Sequence, residues 1–187
     1  LTCLFAWSVP AASGEELAGA EVVLTQAVEF NRDGTPGPGN QILAEHAERI
    51  ARWAWKSAGK SRLPIIPQRE IVLTNPNGHW YSVAGSSPAN DNLPATTWEV
   101  CNDQARLCRN MGWTRVIVVT FPDHLWRACA VYRRLGLTPI PAPMPSHRDA
   151  EYYAWGACRW YLRCRFFFRM YERLARLYFW KRDWIEF

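Results

Sequence analysis

Hydrophobic positions along the chain follow two different periods, which predict strands alternating with helices. Three short segments are strand candidates: residues 21–28, residues 70–74 and the apolar β-branched run at 115–120. Apolar residues also recur about every 3.6 positions across residues 41–58 and from Pro122 to Gly136, as on one face of a helix. This alternation predicts a mainly parallel sheet with helices on both faces.

Three further segments fit the same domain. Thr96 and Glu99 have the spacing of a capping box, which predicts a helix that begins there and runs to about Met111. Residues 137–145 are rich in proline, which cannot donate to a sheet ladder, so they form an edge strand or an extended connection. The run at 80–83 is a short strand candidate.

The carboxyl-terminal region has a helical pattern from residue 148 to about residue 180. Apolar residues follow one predicted face: Trp160, Cys164, Phe167, Tyr171, Leu174 and Tyr178. Arginines project to the opposite side: Arg159, Arg163, Arg165, Arg169, Arg173 and Arg176. Such a basic amphipathic helix most often packs its apolar face on the sheet, but it also binds anionic membrane surfaces or protein partners. All three uses stay open.

The length of 187 residues suits one domain with a substantial core, and a hydrophobic content of 49% excludes a disordered chain. We expect an N-terminal extension at residues 1–20, a three-layer Rossmann-like α/β domain at 21–147 and a C-terminal helical segment at 148–187 that packs on it. No run reaches the roughly 18 apolar residues of a transmembrane helix, so none is predicted. We interpret the start at Leu1 as the stub of a removed signal, anchor or tag.

The net charge of +5 is concentrated in the arginine-rich C-terminal segment. No nucleic-acid-binding motif accompanies it, so a nucleic-acid partner is disfavoured. The six cysteines form no C-x-x-C pair and no Cys/His cluster, so no metal site is predicted, and the sequence identifies no cofactor. Cys101 and Cys108 lie on one face of a predicted helix, as small buried residues do. A reducing compartment suits them, and the predicted location is cytoplasmic or membrane-associated.

The candidate site lies where the strand at 115–120 runs into the next helix. His124 and Arg127 occupy the first turn of that helix, where free backbone N–H groups and the helix dipole favour an anion. A neutral imidazole exchanges a proton, and a guanidinium binds phosphate or carboxylate through its forked donors. The alternative is that Arg127 pairs with a nearby carboxylate while His124 only caps the turn.

Five further residues are candidates for ligand binding. Thr120 and Thr74 end two predicted strands, and Asn75 follows Thr74 in a turn. Thr97 and Glu99 lie at the start of a predicted helix, where capping is the stronger explanation. No serine-hydrolase, Walker or zinc-protease signature is present, so covalent hydrolase chemistry has no positive support.

Residues 95–145 resemble the YdcF/SanA/ElyC-like family, a Rossmann-like domain found in many bacterial envelope-related proteins. The matching residues are Thr97, Glu99, Thr120, His124, Arg127, Ala128 and Gly136. The glycine-rich turns that family members usually have after their first two strands are absent here. The resemblance implies the fold and, more weakly, a link to envelope polysaccharide or lipid-carrier metabolism and to nucleotide-like ligands.

Two functions follow as expectations. The leading one is binding, with hydrolysis or transfer left open, of a phosphate-containing or nucleotide-like molecule at the carboxyl edge of the sheet. His124 would be the acid/base group and Arg127 the anion clamp, with Thr120, Thr97 and Glu99 orienting the ligand. The alternative is a degenerate non-catalytic subunit or scaffold that acts through its basic aromatic C-terminal helix.

Overall fold

The structure is a computed structural model that describes residues 12–27, 35–58, 62–84, 97–143 and 165–185. Its strands are β1 (Val22–Thr25), β2 (Ile65–Pro67), β3 (Arg115–Val119) and β4 (Thr138–Pro141). Its helices are α1 (Gly14–Ala18), α2 (Pro38–Ala58), α3 (Arg69–Thr74), α4 (Thr97–Asn110), α5 (Pro122–Arg134) and α6 (Arg165–Ile185). The strands form one parallel sheet in the order β2-β1-β3-β4.

The strand order reverses direction between β1 and β3. From β1 the chain crosses to β2 on one side, and from β3 it crosses to β4 on the other. Thr25 at the end of β1 is paired with Val119 at the end of β3, so these two carboxyl ends lie side by side. In open α/β sheets such a switch point is where ligands bind, so the candidate site is positioned by the topology.

Helices cover both faces of the sheet. Val23 and Ile117 face a core that includes Leu17 of α1, Leu43 of α2 and Phe168 of α6. Alternate strand residues face the other side, where α4 and α5 contribute buried residues: Cys101, Ala105, Cys108, Leu125, Ala128, Cys129 and Tyr132. The predicted three-layer Rossmann-like α/β fold is confirmed, and Cys101 and Cys108 are buried as expected.

Residues 70–74 are helical, so the prediction of a strand there is wrong. They belong to α3, and the second strand is Ile65–Pro67. The strand is an edge strand, where prolines are tolerated because only one side of the backbone needs ladder donors. Its inner side is paired, since Val23 N donates to Pro64 O and Gln68 N donates to Thr25 O, both at 2.9 Å. Residues 80–83 form no strand either, and Ala84 alone makes an isolated bridge, with Gln68.

The proline-rich segment forms the other edge strand of the described sheet, as predicted. Thr138 N and Ala142 N donate to Thr114 O and Val118 O of the inner neighbour. The backbone nitrogens of the alternating residues Pro139 and Pro141 lie on the outer side of the strand, away from β3. The preceding turn depends on Gly136, whose φ of 82° is a left-handed conformation that residues with a side chain rarely adopt.

The buried face of α6 differs from the prediction. Phe168 and Glu172 are buried, whereas Leu174, which was assigned to the apolar inner face, is 63% exposed. The centre of the buried face therefore lies about 100° around the helix from the centre of the predicted face, at about 100° per residue. Trp160, Cys164 and Thr96 lie outside the described residues, so the capping box is not tested.

Within the described ranges, no helix combines the length and apolar character that crossing a bilayer requires.

Candidate functional site

The site is built on the turn that connects β3 to α5. α5 begins with Pro122 at its first position, which suits the fixed φ of proline, and Phe121 precedes it as an extended N-cap residue. His124 and Arg127 follow three residues apart and therefore lie on the same side of the helix. Both side chains converge at the carboxyl edge of β3, because their nitrogens Nδ1 and Nη2 are 3.1 Å apart.

A carboxylate from α6 fills the space between them. Glu172 Oε1 accepts from Arg127 Nε at 2.9 Å and lies 2.8 Å from Arg127 Nη2, while Oε2 lies 3.2 Å from Nε. The same Oε1 is 3.0 Å from His124 Nδ1. The part of the sequence interpretation in which Arg127 pairs with a carboxylate is therefore observed. The other part is not, because His124 contacts Glu172 and Gln26 instead of only capping the turn.

The group is buried, whereas the predicted role of Arg127 as an anion clamp requires a guanidinium that a ligand can reach. His124 is 4%, Arg127 8% and Glu172 0% exposed. Burial alone raises the pKa of the Glu172 carboxyl, but the charge of Arg127 and the His124 hydrogen bond outweigh it, so the pKa lies below its ordinary value of 4.5. Glu172 is thus ionised at neutral pH and neutralises the guanidinium that was expected to hold an anion.

Aromatic rings close the remaining sides of the pair. The Arg127 guanidinium carbon lies 5.6 Å from the centre of the Tyr171 ring, within the range of a cation–π contact. Phe121 stacks against the His124 ring at 5.2 Å and meets Phe168 edge to face at 4.7 Å. These contacts exclude water from the ion pair, which strengthens it.

A chain of amide and hydroxyl groups fixes the other side of His124. Gln104 Nε2 lies 3.2 Å from Thr25 O and 2.7 Å from Ile66 O, and since carbonyls only accept, this end of the amide must be the donor. Gln104 Oε1 then accepts from the Tyr132 hydroxyl. Gln104 therefore connects α4 to the backbones of β1 and β2.

The chain continues to the imidazole. Because the Tyr132 hydroxyl donates its one hydrogen to Gln104, it can only accept from Gln26 Nε2, which lies 3.0 Å away. Gln26 Oε1 therefore points to His124 Nε2, 2.9 Å away, and Nε2 must carry a hydrogen. The opposite nitrogen, Nδ1, accepts from Arg127 when the ring is neutral and donates to Glu172 when the ring is charged.

The remaining groups of this network are uncharged. Burial raises the pKa of the Cys101 thiol to about 12 and the pKa of the Tyr132 phenol well above 10.0. Cys101 Sγ lies 2.8 Å from Gln26 Nε2 and acts as a weak acceptor. A thiol held in this form is a poor nucleophile, so Cys101 is a structural residue.

A second ion pair holds α6 against the start of α5. Arg169 Nε donates to Asp123 Oδ1 at 3.1 Å, and Asp123 is buried. Arg169 and Glu172 lie one turn apart on α6, and their partners Asp123 and Arg127 lie one turn apart on α5. Two adjacent pairs of opposite charge therefore join the helices. Together the two ion pairs fix the position of α6 along α5 and the rotation of α6 about its own axis.

Two threonine hydroxyls at the switch point are buried without a partner. Thr120 and Thr25 are 0% exposed, and neither Oγ1 atom has a hydrogen-bond partner in the part of the chain that the structure describes. Thr120, which was predicted as a ligand-binding residue, follows β3 at the carboxyl edge of the sheet, and its role stays a prediction. A buried hydroxyl without a hydrogen bond is costly, so this pair is an unexplained polar feature of the site.

The other predicted residues lie elsewhere. Thr74 does not end a strand, because it is the last residue of α3, and its hydroxyl donates to Ile71 O at 2.7 Å. Asn75 caps that helix and donates to Glu48 of α2 at 3.3 Å. Thr97 is half-buried and Glu99 exposed in the first turn of α4.

Sequence reasoning missed the residues that complete the network. Glu172 had one available signal, since it is the lone acidic residue among the arginines from 165 to 182. Gln26 directly follows β1, at the edge where ligands and catalytic groups collect. Gln104 and Tyr132 gave no signal, because a polar residue on an amphipathic helix normally faces solvent.

Among the described residues, no group of three His, Cys, Asp or Glu side chains is arranged to hold a metal ion. Comparisons with known protein families, with curated proteins and with solved structures found no match. The likeness to the YdcF/SanA/ElyC-like family therefore stays an expectation.

Replacing Glu172 by Gln should destabilise the protein by about 3–5 kcal/mol, because it leaves the buried Arg127 charge without a counter-ion. Urea unfolding at neutral pH measures this loss. Glu45→Gln is the matched control, since Glu45 is exposed on α2 and the same change there should fall within about 0.5 kcal/mol. Equal effects of the two substitutions would contradict the assignment of Glu172 as the buried counter-ion.

Acid should weaken the protein through the same carboxylate. Because the folded-state pKa of Glu172 is depressed, its stabilisation is complete above the ordinary value of 4.5 and is lost as the pH falls through the folded pKa. Urea unfolding measured at steps from neutral to strongly acidic pH should show a steeper decline for the wild type than for Glu172→Gln. Parallel profiles would mean that Glu172 has the same pKa in the folded and unfolded chains.

Proposed function

We propose that this protein is a non-catalytic binding domain whose α/β body holds α6 in a fixed orientation and presents its outer face to a partner. The observation that carries the proposal is the buried Glu172 carboxylate on Arg127. A ligand anion at the switch point would need this guanidinium, and the chain itself already supplies the anion.

The hydrogen-bond pattern supports a structural use of His124. Both ring nitrogens face protein groups, with Gln26 on one side and Glu172 with Arg127 on the other. A catalytic acid or base needs one nitrogen that reaches a substrate within about 3 Å. In this arrangement the ring instead joins β1 to α6, which suits a domain that positions a helix.

The outer face of α6 supports the binding part of the proposal. Among the side chains of this helix that the structure describes, four large apolar ones are exposed: Phe166, Met170, Leu174 and Leu177. Contiguous exposed apolar surface on a folded domain marks an interaction site more often than scattered single residues do. The same helix contributes Phe168 and Glu172 to the interior, so one helix has a packed face and an exposed apolar face.

Binding of a phosphate-containing or nucleotide-like molecule is the second candidate function. The observation that favours it is the pair of buried hydroxyls of Thr25 and Thr120 at the carboxyl edge of neighbouring strands. Phosphate oxygens accept hydrogen bonds from such groups beside a helix N-terminus. A ligand there would have to compete with Glu172 for Arg127.

Photo-crosslinking tests the binding-domain proposal. With benzoylphenylalanine at position 166 or 174, the full-length protein in its native cells should form a discrete adduct with protein or lipid. The same probe at Trp53 of α2 or Trp98 of α4, which are 44% and 41% exposed, is the control for non-specific contact. Equal labelling from all four positions, or none from 166 and 174, would contradict a docking face on α6.

Thermal unfolding with inorganic phosphate and with ADP tests the second candidate. Ligand binding should raise the Tm of the wild type, because a ligand that binds only the folded state stabilises it. Thr25→Val and Thr120→Val should leave the unliganded Tm equal or higher and abolish the increase, since each removes an unpartnered hydroxyl. Thr74→Val is the control and should keep the increase. An unchanged wild-type Tm, or an equal increase in the valine variants, would eliminate this function.

A further inference from the structure

The outer face of α6 is a continuous apolar stripe. Its members are exposed by 72%, 42%, 63% and 51%: Phe166, Met170, Leu174 and Leu177, called the outer stripe below. At about 100° per residue they fall within an arc of roughly 80° and extend about 17 Å along the helix. The outer stripe is therefore a narrow apolar ridge on the surface of the protein.

Internal contacts hold this ridge outward. Phe168 and Glu172 lie on the opposite side of α6, packed on Phe121 and paired with Arg127. Turning the outer stripe inward would move Glu172 into solvent and leave Arg127 buried without a counter-ion, which costs several kcal/mol. The exposure of the stripe is thus a fixed property of the folded domain.

The charge of α6 is strongly positive. Its sequence has six cationic residues, which are Arg165, Arg169, Arg173, Arg176, Lys181 and Arg182. The acidic residues within its bounds are Glu172 and Asp183, and Glu172 is buried against Arg127. Arg169 is paired with Asp123 of α5, so it adds no unbalanced charge either. The five other cationic residues in the sequence of α6 still outnumber Asp183. Arg173 is exposed and lies about 20° from Phe166 around the helix, directly beside the outer stripe.

These features distinguish among possible occupants. A second copy of the chain packed stripe to stripe in a symmetric dimer would bring Arg173 close to its own equivalent, with repulsion between like charges. A helix-binding protein needs a groove that matches four separate side chains. An anionic lipid surface accepts a convex apolar ridge without shape matching and offers phosphates to arginines at any spacing.

We infer that α6 lies in the plane of an anionic membrane surface, with the outer stripe inserted at the boundary of headgroups and acyl chains. Helices of this kind insert their apolar face by about 5–10 Å into the membrane surface. Phe166 and Leu174 are the most exposed members of the outer stripe and would be the inserted side chains. Arg173 then contacts lipid phosphates at the same level. This inference rests on the proposed binding-domain function and names its partner.

Vesicle flotation tests the inference with the whole protein. Vesicles of two parts phosphatidylcholine and one part phosphatidylglycerol should carry the wild type to the top of a density gradient, whereas pure phosphatidylcholine should not. Phe166→Ser and Leu174→Ser should each lower the partition coefficient at least about tenfold, because each removes a large inserted apolar group. Arg173→Gln should lower it about fivefold, and added salt should reduce this difference.

Trp53→Ser is the matched control, since it removes an exposed aromatic residue from α2 and should leave flotation unchanged. Circular dichroism of every variant confirms that the fold is retained. The inference is overturned by absent flotation, by equal flotation on neutral vesicles, or by equal flotation of the serine variants. A protein adduct from positions 166 and 174 together with absent flotation would refute the lipid partner and leave the binding-domain function standing.

Discussion

The arrangement of this protein depends on one buried ion pair, in which the Glu172 carboxylate of α6 lies between Arg127 and His124 of α5. Removing two charges from water is costly, and the cost is offset only when geometry is good and the remaining polar atoms are also bonded. Here the second side of His124 is bonded to Gln26, and Gln26 is bonded to Tyr132. A single network therefore determines where α6 lies and which of its faces meets solvent.

The network also explains which parts of the structure were predictable from the sequence. The β3–α5 unit was predictable, because its apolar strand, Pro122 at the helix start and Gly136 after the helix are signals that depend only on neighbouring residues. The rotation of α6 was not, since Glu172 and Arg127 are 45 residues apart and helical periodicity assigns charged residues to the solvent side. The convergence of His124 and Arg127 followed from their spacing, but their burial depended on this distant partner.

The mistaken strand at residues 70–74 has a different origin. Three of these five residues are β-branched, which suits a strand by propensity. In the fold, however, β2 ends at Pro67 and residues 69–74 form the short helix that follows it. Propensity is a weak preference that tertiary pairing overrides. The same holds for Thr74 and Asn75, whose assignment to the ligand edge depended on that strand. Thr120 follows β3, whose position was predicted correctly, and it does lie at the switch point.

The switch point itself combines two features that normally exclude each other. Its charged groups are mutually satisfied, as in a core, whereas Thr25 and Thr120 keep buried hydroxyls without described partners, as in a binding crevice. The first feature favours a domain that uses the fold as a support. The two buried hydroxyls are polar groups that a domain serving only as a support does not require.

The prolines of the two outer strands have a consequence for how this domain meets other chains. Pro139 and Pro141 occupy the outward positions of β4, and Pro67 occupies one on β2, so these positions present no N–H group. The outward carbonyls of Ile65 and Pro67 are already taken by Tyr81 N and Ala84 N. Both margins of the sheet thus resist the addition of a foreign strand, the usual route to polymerisation and to β-augmentation.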